Sequence, residues 1–228
     1  MNVATMTEKQ TGSVKGKLSR QKRKVGRTRA KLLDAARSVF SRKGLDLTTI
    51  DDITEQADVG RGTFYYHFSA KEDLISELIG DMLDHLVAQV NDRCKGATSL
   101  SEVLDALIGA HVDFFSTRWE DFVLFYQGRA DLQLVNSYEG IETPFLDYLN
   151  SIEILVDSVL SAPISRPAAR RLACAIAGFI SGYYSFAVIA SEKDDDVDKS
   201  FHSMRSAFVA SLVRFINEAL PDTGTRRH

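Results

Sequence analysis

The segment Val59-Gly60-Arg61-Gly62-Thr63-Phe64-Tyr65-Tyr66-His67-Phe68, with Lys71 just beyond it, sets the tightest condition on the fold. Its spacing predicts a helix of about two turns, and so short a helix does not persist alone in water. Phe64 and Phe68 lie four residues apart and share one side, so that side must dock on other helices. Docking turns Gly62, Thr63 and Tyr66 outward and leaves Tyr65 and His67 on the flanks. Hydroxyls, a guanidinium, an imidazole and an ammonium are all groups that ligate phosphates and base edges. Gly62 removes a side chain where a duplex would come close. The plain alternative is a surface helix that happens to carry tyrosines.

The preceding residues sharpen this reading. Thr48 to Ala57 predicts another short helix, with Thr49 as N-cap and Asp51 and Asp52 at its positive start. Ile50, Ile53 and Ala57 share one side. Asp58-Val59-Gly60 is a tight turn, and the pair makes a helix-turn-helix whose second helix is placed to enter a major groove. Upstream, Thr28 to Lys43 predicts a longer helix with Leu32, Leu33, Ala36, Val39 and Phe40 at helical spacing, stopped by Gly44. Three helices around one apolar seam suffice for a small DNA-binding head.

Residues from about Arg27 to Ile79 resemble the N-terminal domain of the TetR (tetracycline repressor) family of bacterial transcriptional regulators. The resemblance rests on Ala35-Ala36, Phe40, Gly44, Thr48-Thr49, Ile53, Ala57, Val59, Gly62-Thr63-Phe64-Tyr65, His67-Phe68, Lys71 and Leu74, in one ungapped block. Gly60 departs from it, because many members carry Ser there as helix cap. Gly costs only a few tenths of a kcal/mol relative to Ser at that position. The resemblance implies an all-α protein: a three-helix DNA-binding head and a larger helical body that binds an effector and dimerises through its last two helices.

Charge is divided unevenly along the chain. The net charge is −3, yet residues 1–80 carry 15 Lys/Arg against 10 Asp/Glu, whereas residues 81–228 carry 13 against 21. A basic head on an acidic body suits a polyanion that meets one end only. Residues 1–24 are rich in Lys and Arg (Lys15, Lys17, Arg20, Lys22, Arg23 and Lys24 among them) with almost no apolar partners, and predict a disordered basic tail. The tail either follows phosphates or is a solvated leader. It has no apolar core of a secretory signal, so the expected location is the bacterial cytoplasm. The domains expected are this tail, a head over 25–70, a body over 71–221 and a flexible end over 222–228.

Past Phe68 the pattern is helical throughout. Ser69 and Glu72 have capping-box spacing at the start of a helix running to about Cys94. Because it follows the recognition helix directly, it is a lever between head and body. Further helices are predicted over Ser99 to Thr117, Trp119 to Arg129, Thr143 to Leu160, Pro167 to Ser191 and Asp198 to Leu220. Leu172 to Ala190 runs 19 residues without a charge, long enough to span a bilayer. Its Ala, Gly and Ser content and its central Tyr183-Tyr184 favour a buried helix instead, packed on the core and on a partner subunit. No membrane association is expected.

The middle helices are crowded with aromatic residues. Most are plain core, but His111, Phe115, Trp119, Phe122, Tyr126, Tyr148, Phe179 and Tyr183 as a set suit an apolar cavity with polar handles. Cys94 and Cys174 are far apart and expected to be reduced thiols. No Cys/His spacing suggests a metal, and no cofactor is expected. No nucleophile–base set suggests an enzyme. The function expected is a ligand-responsive transcriptional regulator, a repressor that binds a palindromic operator as a homodimer and leaves it on binding a small hydrophobic effector. Arg61, Thr63 and Tyr66 would read bases beside Gly62, and Thr49, Tyr65, His67 and Lys71 would hold phosphates. The alternative is a helical small-molecule-binding or interaction protein that no longer binds DNA specifically.

Overall fold

In the computed structural model every described element is an α-helix. The structure describes residues 5–131, 142–160, 164–190 and 197–219; the predicted flexible end and the acidic turn Asp194-Asp195-Asp196 lie outside them. The helices are α1 (Thr5–Lys43), α2 (Ile50–Gln56), α3 (Arg61–His67), α4 (Lys71–Arg93), α5 (Leu100–Thr117), α6 (Trp119–Asp131), α7 (Glu142–Asp157), α8 (Arg166–Ala190) and α9 (Val197–Ala219). Two compact units divide between Leu78 and Ile79, inside α4. The expected head over 25–70 ends eight residues before that division. The first two turns of α4 carry buried Leu74, Ile75 and Leu78, which belong to the head.

The head follows from its apolar spacing. On α1, Leu32, Ala35, Ala36, Val39 and Phe40 are buried at helical intervals. Gly44 ends the helix at φ 84°, a left-handed conformation that Gly adopts at little cost, and its N–H donates to the Phe40 carbonyl at 2.8 Å. Thr49 caps α2 in a reciprocal box: its Oγ1 accepts from the Asp52 N–H at 3.2 Å, and its own N–H donates to Asp52 Oδ2 at 2.8 Å. Lys43 Nζ donates to the same carboxylate at 2.6 Å. These donors hold the Asp52 carboxyl well below the usual carboxylate range, with the Lys43 bond the largest cause.

Two local expectations are corrected. The helix predicted to start near Thr28 continues back to Thr5, through the basic segment read as a tail. Lys, Arg and Gln are good helix formers, and adding turns to an existing helix is far cheaper than nucleating one. At the start of α4, Asp73 Oδ2 accepts from the N–H groups of Ser69 and Ala70, at 3.0 and 3.2 Å. The carboxylate that closes this helix start thus sits one residue beyond the Glu72 that the spacing suggested.

In the body, α7 packs on α8 and α9 packs on α5. One face of α8 is buried through Leu172, Ala173, Ile176, Ala177, Ile180 and Tyr184, while Phe179 and Phe186 on the same helix are exposed. Among the described residues no helix is long and apolar enough to cross a membrane. On α9, Phe208, Val209, Leu212 and Ile216 are buried, and Met204 and Phe215 are exposed. Two ion pairs clasp α5: Arg205 Nε donates to Asp105 Oδ1 at 2.6 Å, and Arg93 pairs with Asp113. A Cβ at Gly109 would lie 2.6 Å from one guanidinium and 2.7 Å from the other, so Gly109 leaves the room both need. Cys94 is buried, which pushes its thiol pKa up, and Cys174 is exposed.

Candidate nucleic-acid interface

Helix α3 is held by its two phenylalanines. Phe64 is fully buried and Phe68 nearly so, with ring centroids 5.6 Å apart. Arg29 of α1 lies over the Phe68 ring at 4.6 Å and pairs with Glu77. Arg29 thereby joins α1 to the first turns of α4 and closes the pocket that seats Phe68. The turn into α3 places Asp58 at φ 51°, a left-handed conformation that Asp tolerates better than most residues. Gly60 caps α3 without a side-chain bond.

The opposite side of α3 is open. Tyr66 is 70% exposed and Tyr65 49%. Gly62 is exposed, with no neighbouring atom within 4 Å of a Cβ built on it, and Thr63 is half-buried beside it. Arg61 extends from the first turn, where its Nη1 lies 3.2 Å from both Asp51 carboxylate oxygens. That pair is exposed on both sides, so it is weak and exchangeable, and orients the guanidinium without fixing it. His67 is half-buried; burial first and the nearby Arg29 charge second lower its pKa.

Two residues expected to hold phosphates have structural partners. Thr49 is exposed but spends its Oγ1 in the α2 capping box. Lys71 Nζ donates to the Leu45 and Thr48 carbonyls at 2.9 and 3.0 Å, tying the start of α4 to the loop before α2. These partners lie 26 and 23 residues away, and nothing in the local sequence foretells them.

The aromatic set expected to line one cavity separates into two groups. His111, Phe115, Phe122 and Tyr148 are buried, joined by Phe125 and Tyr184, which the sequence reading left out. Phe115 lies 5.2 Å from Phe122, 5.3 Å from Phe125 and 5.6 Å from Tyr184. Tyr126 and the 52% exposed Trp119 border this cluster through Phe122, at 5.9 and 5.2 Å. Phe179 and Tyr183 turn instead toward α9. Phe179 stacks on Phe208 at 4.1 Å, and the Tyr183 hydroxyl donates to Met204 Sδ at 3.2 Å. Tyr183 and Tyr184 are neighbours about 100° apart around a helix, so one faces each side. The spacing Ile176, Ile180, Tyr184 was the signal for which one enters the core.

His111 is the polar centre of the cluster. Its Nδ1 lies 2.7 Å from the Leu107 carbonyl, which only accepts, so Nδ1 carries the proton. Nε2 then accepts from the Tyr148 hydroxyl at 2.7 Å. Burial lowers the His111 pKa from 6.5 to about 4. Between those values the unfolded chain takes up a proton that the folded chain refuses, so this contribution is whole above pH 6.5 and is lost as pH falls toward 4. The loss amounts to about 3 kcal/mol. Thermal melts of wild type and His111→Phe are expected to diverge at neutral pH and converge toward pH 4; parallel curves would contradict this role.

Comparison with known proteins agrees with the geometry. Residues 32–78 match the family model described as bacterial regulatory proteins, tetR family. The chain is 35% identical over 122 residues to the uncharacterized HTH-type transcriptional regulator YvdT of Bacillus subtilis, covering 54% of this chain and 63% of that one. It is 30% identical over 115 residues to the HTH-type transcriptional repressor KstR2 of Mycolicibacterium smegmatis, covering 50% and 56%. The chain thus spans little more than half the length of these curated relatives. Across the fold it is similar to FadR of Bacillus subtilis, solved in complex with stearoyl-CoA, with a TM-score of 0.65 at 18% identity over 84% of this chain and 98% of that one. Among the described residues head and body are all-α, with a helix-turn-helix in the head. Over residues 32–78 the chain is similar to the tetR family of bacterial regulatory proteins.

Proposed function

We propose that the protein is a ligand-responsive repressor. Two copies join through α8 and α9, set their α3 helices into successive major grooves of a palindromic operator, and leave it when a small, mostly apolar effector enters the body. The observation that carries this reading is the two-sidedness of α3: Phe64 and Phe68 are buried while Gly62 and Tyr66 face solvent. Arg61, Thr63 and Tyr66 read bases, while Tyr65, His67 and the Thr49 end of α2 contact phosphates. The basic segment of α1 adds sequence-independent attraction.

Several features support the dimer and effector parts. On α8, Gly178 has no neighbouring atom within 4 Å of a Cβ, and exposed Phe179 and Phe186 flank the small residues. Gly178→Arg should leave the protomer folded, since it meets nothing and improves helix propensity by up to about 1 kcal/mol. Its sedimentation mass is expected to fall from twice to once 25.3 kDa. A persisting dimer would place the interface elsewhere. FadR, of the same fold, holds stearoyl-CoA, which supports a long apolar ligand for this body. Helix α4 belongs to both units, so an effector that favours one arrangement of the body biases the heads through a continuous helix.

The effector part is tested by native mass spectrometry and thermal shift with a long-chain acyl-CoA, a free fatty acid and an uncharged steroid. One class is expected to bind and raise the melting temperature, and the same compound should release bound DNA. Failure of all three to bind would remove the hydrophobic effector from the account.

A further inference from the structure

A groove of about 290 Å³ runs between α1 and the outward side of α3, lined by Lys24, Val25, Thr28, Gly62, Thr63, Tyr66 and His67. We propose that this groove seats the sugar-phosphate backbone of duplex DNA beside the major groove that α3 enters, and that Lys24 and Thr28 are DNA-contacting residues. The inference rests on the DNA-binding reading above and extends it to a second helix.

The lining has the chemistry of a nucleotide backbone. Lys24 is exposed and supplies a cation. Thr28 Oγ1 and the His67 ring supply hydrogen-bond donors that place a phosphate. Thr28 Oγ1 now donates to the Lys24 carbonyl at 3.1 Å, a bond it can exchange for a phosphate oxygen by rotating its side chain. Val25 is half-buried and gives the deoxyribose an apolar wall. Gly62 keeps the α3 side clear, with open space where a Cβ would stand. Tyr66 belongs both to this groove and to the face of α3 that meets bases, so a strand lying here would run along the edge of the groove being read. A disordered segment over residues 1–24 could not form this wall. The seat exists because α1 is helical through Lys24 and Thr28.

Lys22 is the internal control. It is exposed on the same helix two residues earlier, carries the same charge, and does not line the groove. The full chain and its Lys24→Gln, Lys22→Gln and Thr28→Val variants would be titrated across a salt series. The two probes are the duplex upstream of its own coding sequence and a scrambled duplex of equal composition. Lys24→Gln is expected to reduce the slope of log K against log salt by about 1.8 on both duplexes, one phosphate contact from each copy of the dimer, with their affinity ratio unchanged. Thr28→Val should weaken both about tenfold to a hundredfold, one hydrogen bond from each copy, and leave the slope alone. Lys22→Gln should leave the slope near wild type. An unchanged slope in Lys24→Gln, or equal slope losses in Lys24→Gln and Lys22→Gln, overturns the groove. Equal wild-type affinity for the two duplexes would count against sequence reading by α3, with the groove still decided by the slopes. No salt-dependent binding by wild type would remove both.

Discussion

Phe64→Ala is expected to abolish DNA binding while leaving the body folded. The side chain is fully buried at the centre of a seven-residue helix, and removing it leaves a cavity under that helix. Truncations of this kind cost about 3–5 kcal/mol, a large share of the 5–15 kcal/mol that holds a typical domain together. No other residue of α3 can compensate, because Phe64 is the one buried residue within the helix and Phe68 lies at its C-cap. A two-turn helix without its anchor has no stability of its own. Amide exchange should show α3 and the adjoining α2 opening while α5 and α8 keep their protection. Affinity for any duplex should fall at least about a hundredfold. Wild-type binding by this variant would mean that α3 is not the contacting element.

Tyr66→Ala is expected to do the reverse: keep the fold and lose the reading. At 70% exposure the ring contributes little to the core, and surface truncations usually stay within about 0.5 kcal/mol. Each good base contact discriminates by about 1–3 kcal/mol, or roughly tenfold to a hundredfold. The ratio of operator to nonspecific affinity should fall by that factor, with Thr63→Ala acting in the same direction. Melting temperature and oligomeric mass should not move. The pair of variants separates support from contact on one short helix, and a specificity ratio unchanged in both Tyr66→Ala and Thr63→Ala would remove base reading from this face.

Much of the head was legible because its signals are local. The Phe64/Phe68 interval, the Thr49 N-cap and the stop at Gly44 each depend on residues within four positions, and each is present in the structure. The start of α1 was misplaced because a basic, apolar-poor segment gives no periodic signal, whereas helix extension needs none. Lys71 was read as a phosphate ligand because its type and position fit. Its two carbonyl partners come from a loop brought near by tertiary packing alone. In the body the aromatic residues were visible as a composition but not as a geometry. Helices apolar on two sides leave the choice between Tyr183 and Tyr184 to packing with other helices. The His111–Tyr148 bond spans 37 residues and two helices, beyond any spacing rule.

The central claim is that this chain reads DNA sequence as a symmetric pair through the open face of α3. The most direct test is selection from a random-sequence duplex pool by the full chain, with Tyr66→Ala run in parallel. Wild type is expected to enrich two inverted half-sites about one helical turn or a multiple of it apart, and Tyr66→Ala should enrich them weakly or not at all. A wild-type pool with no motif, or the same palindrome recovered equally by both proteins, would contradict it.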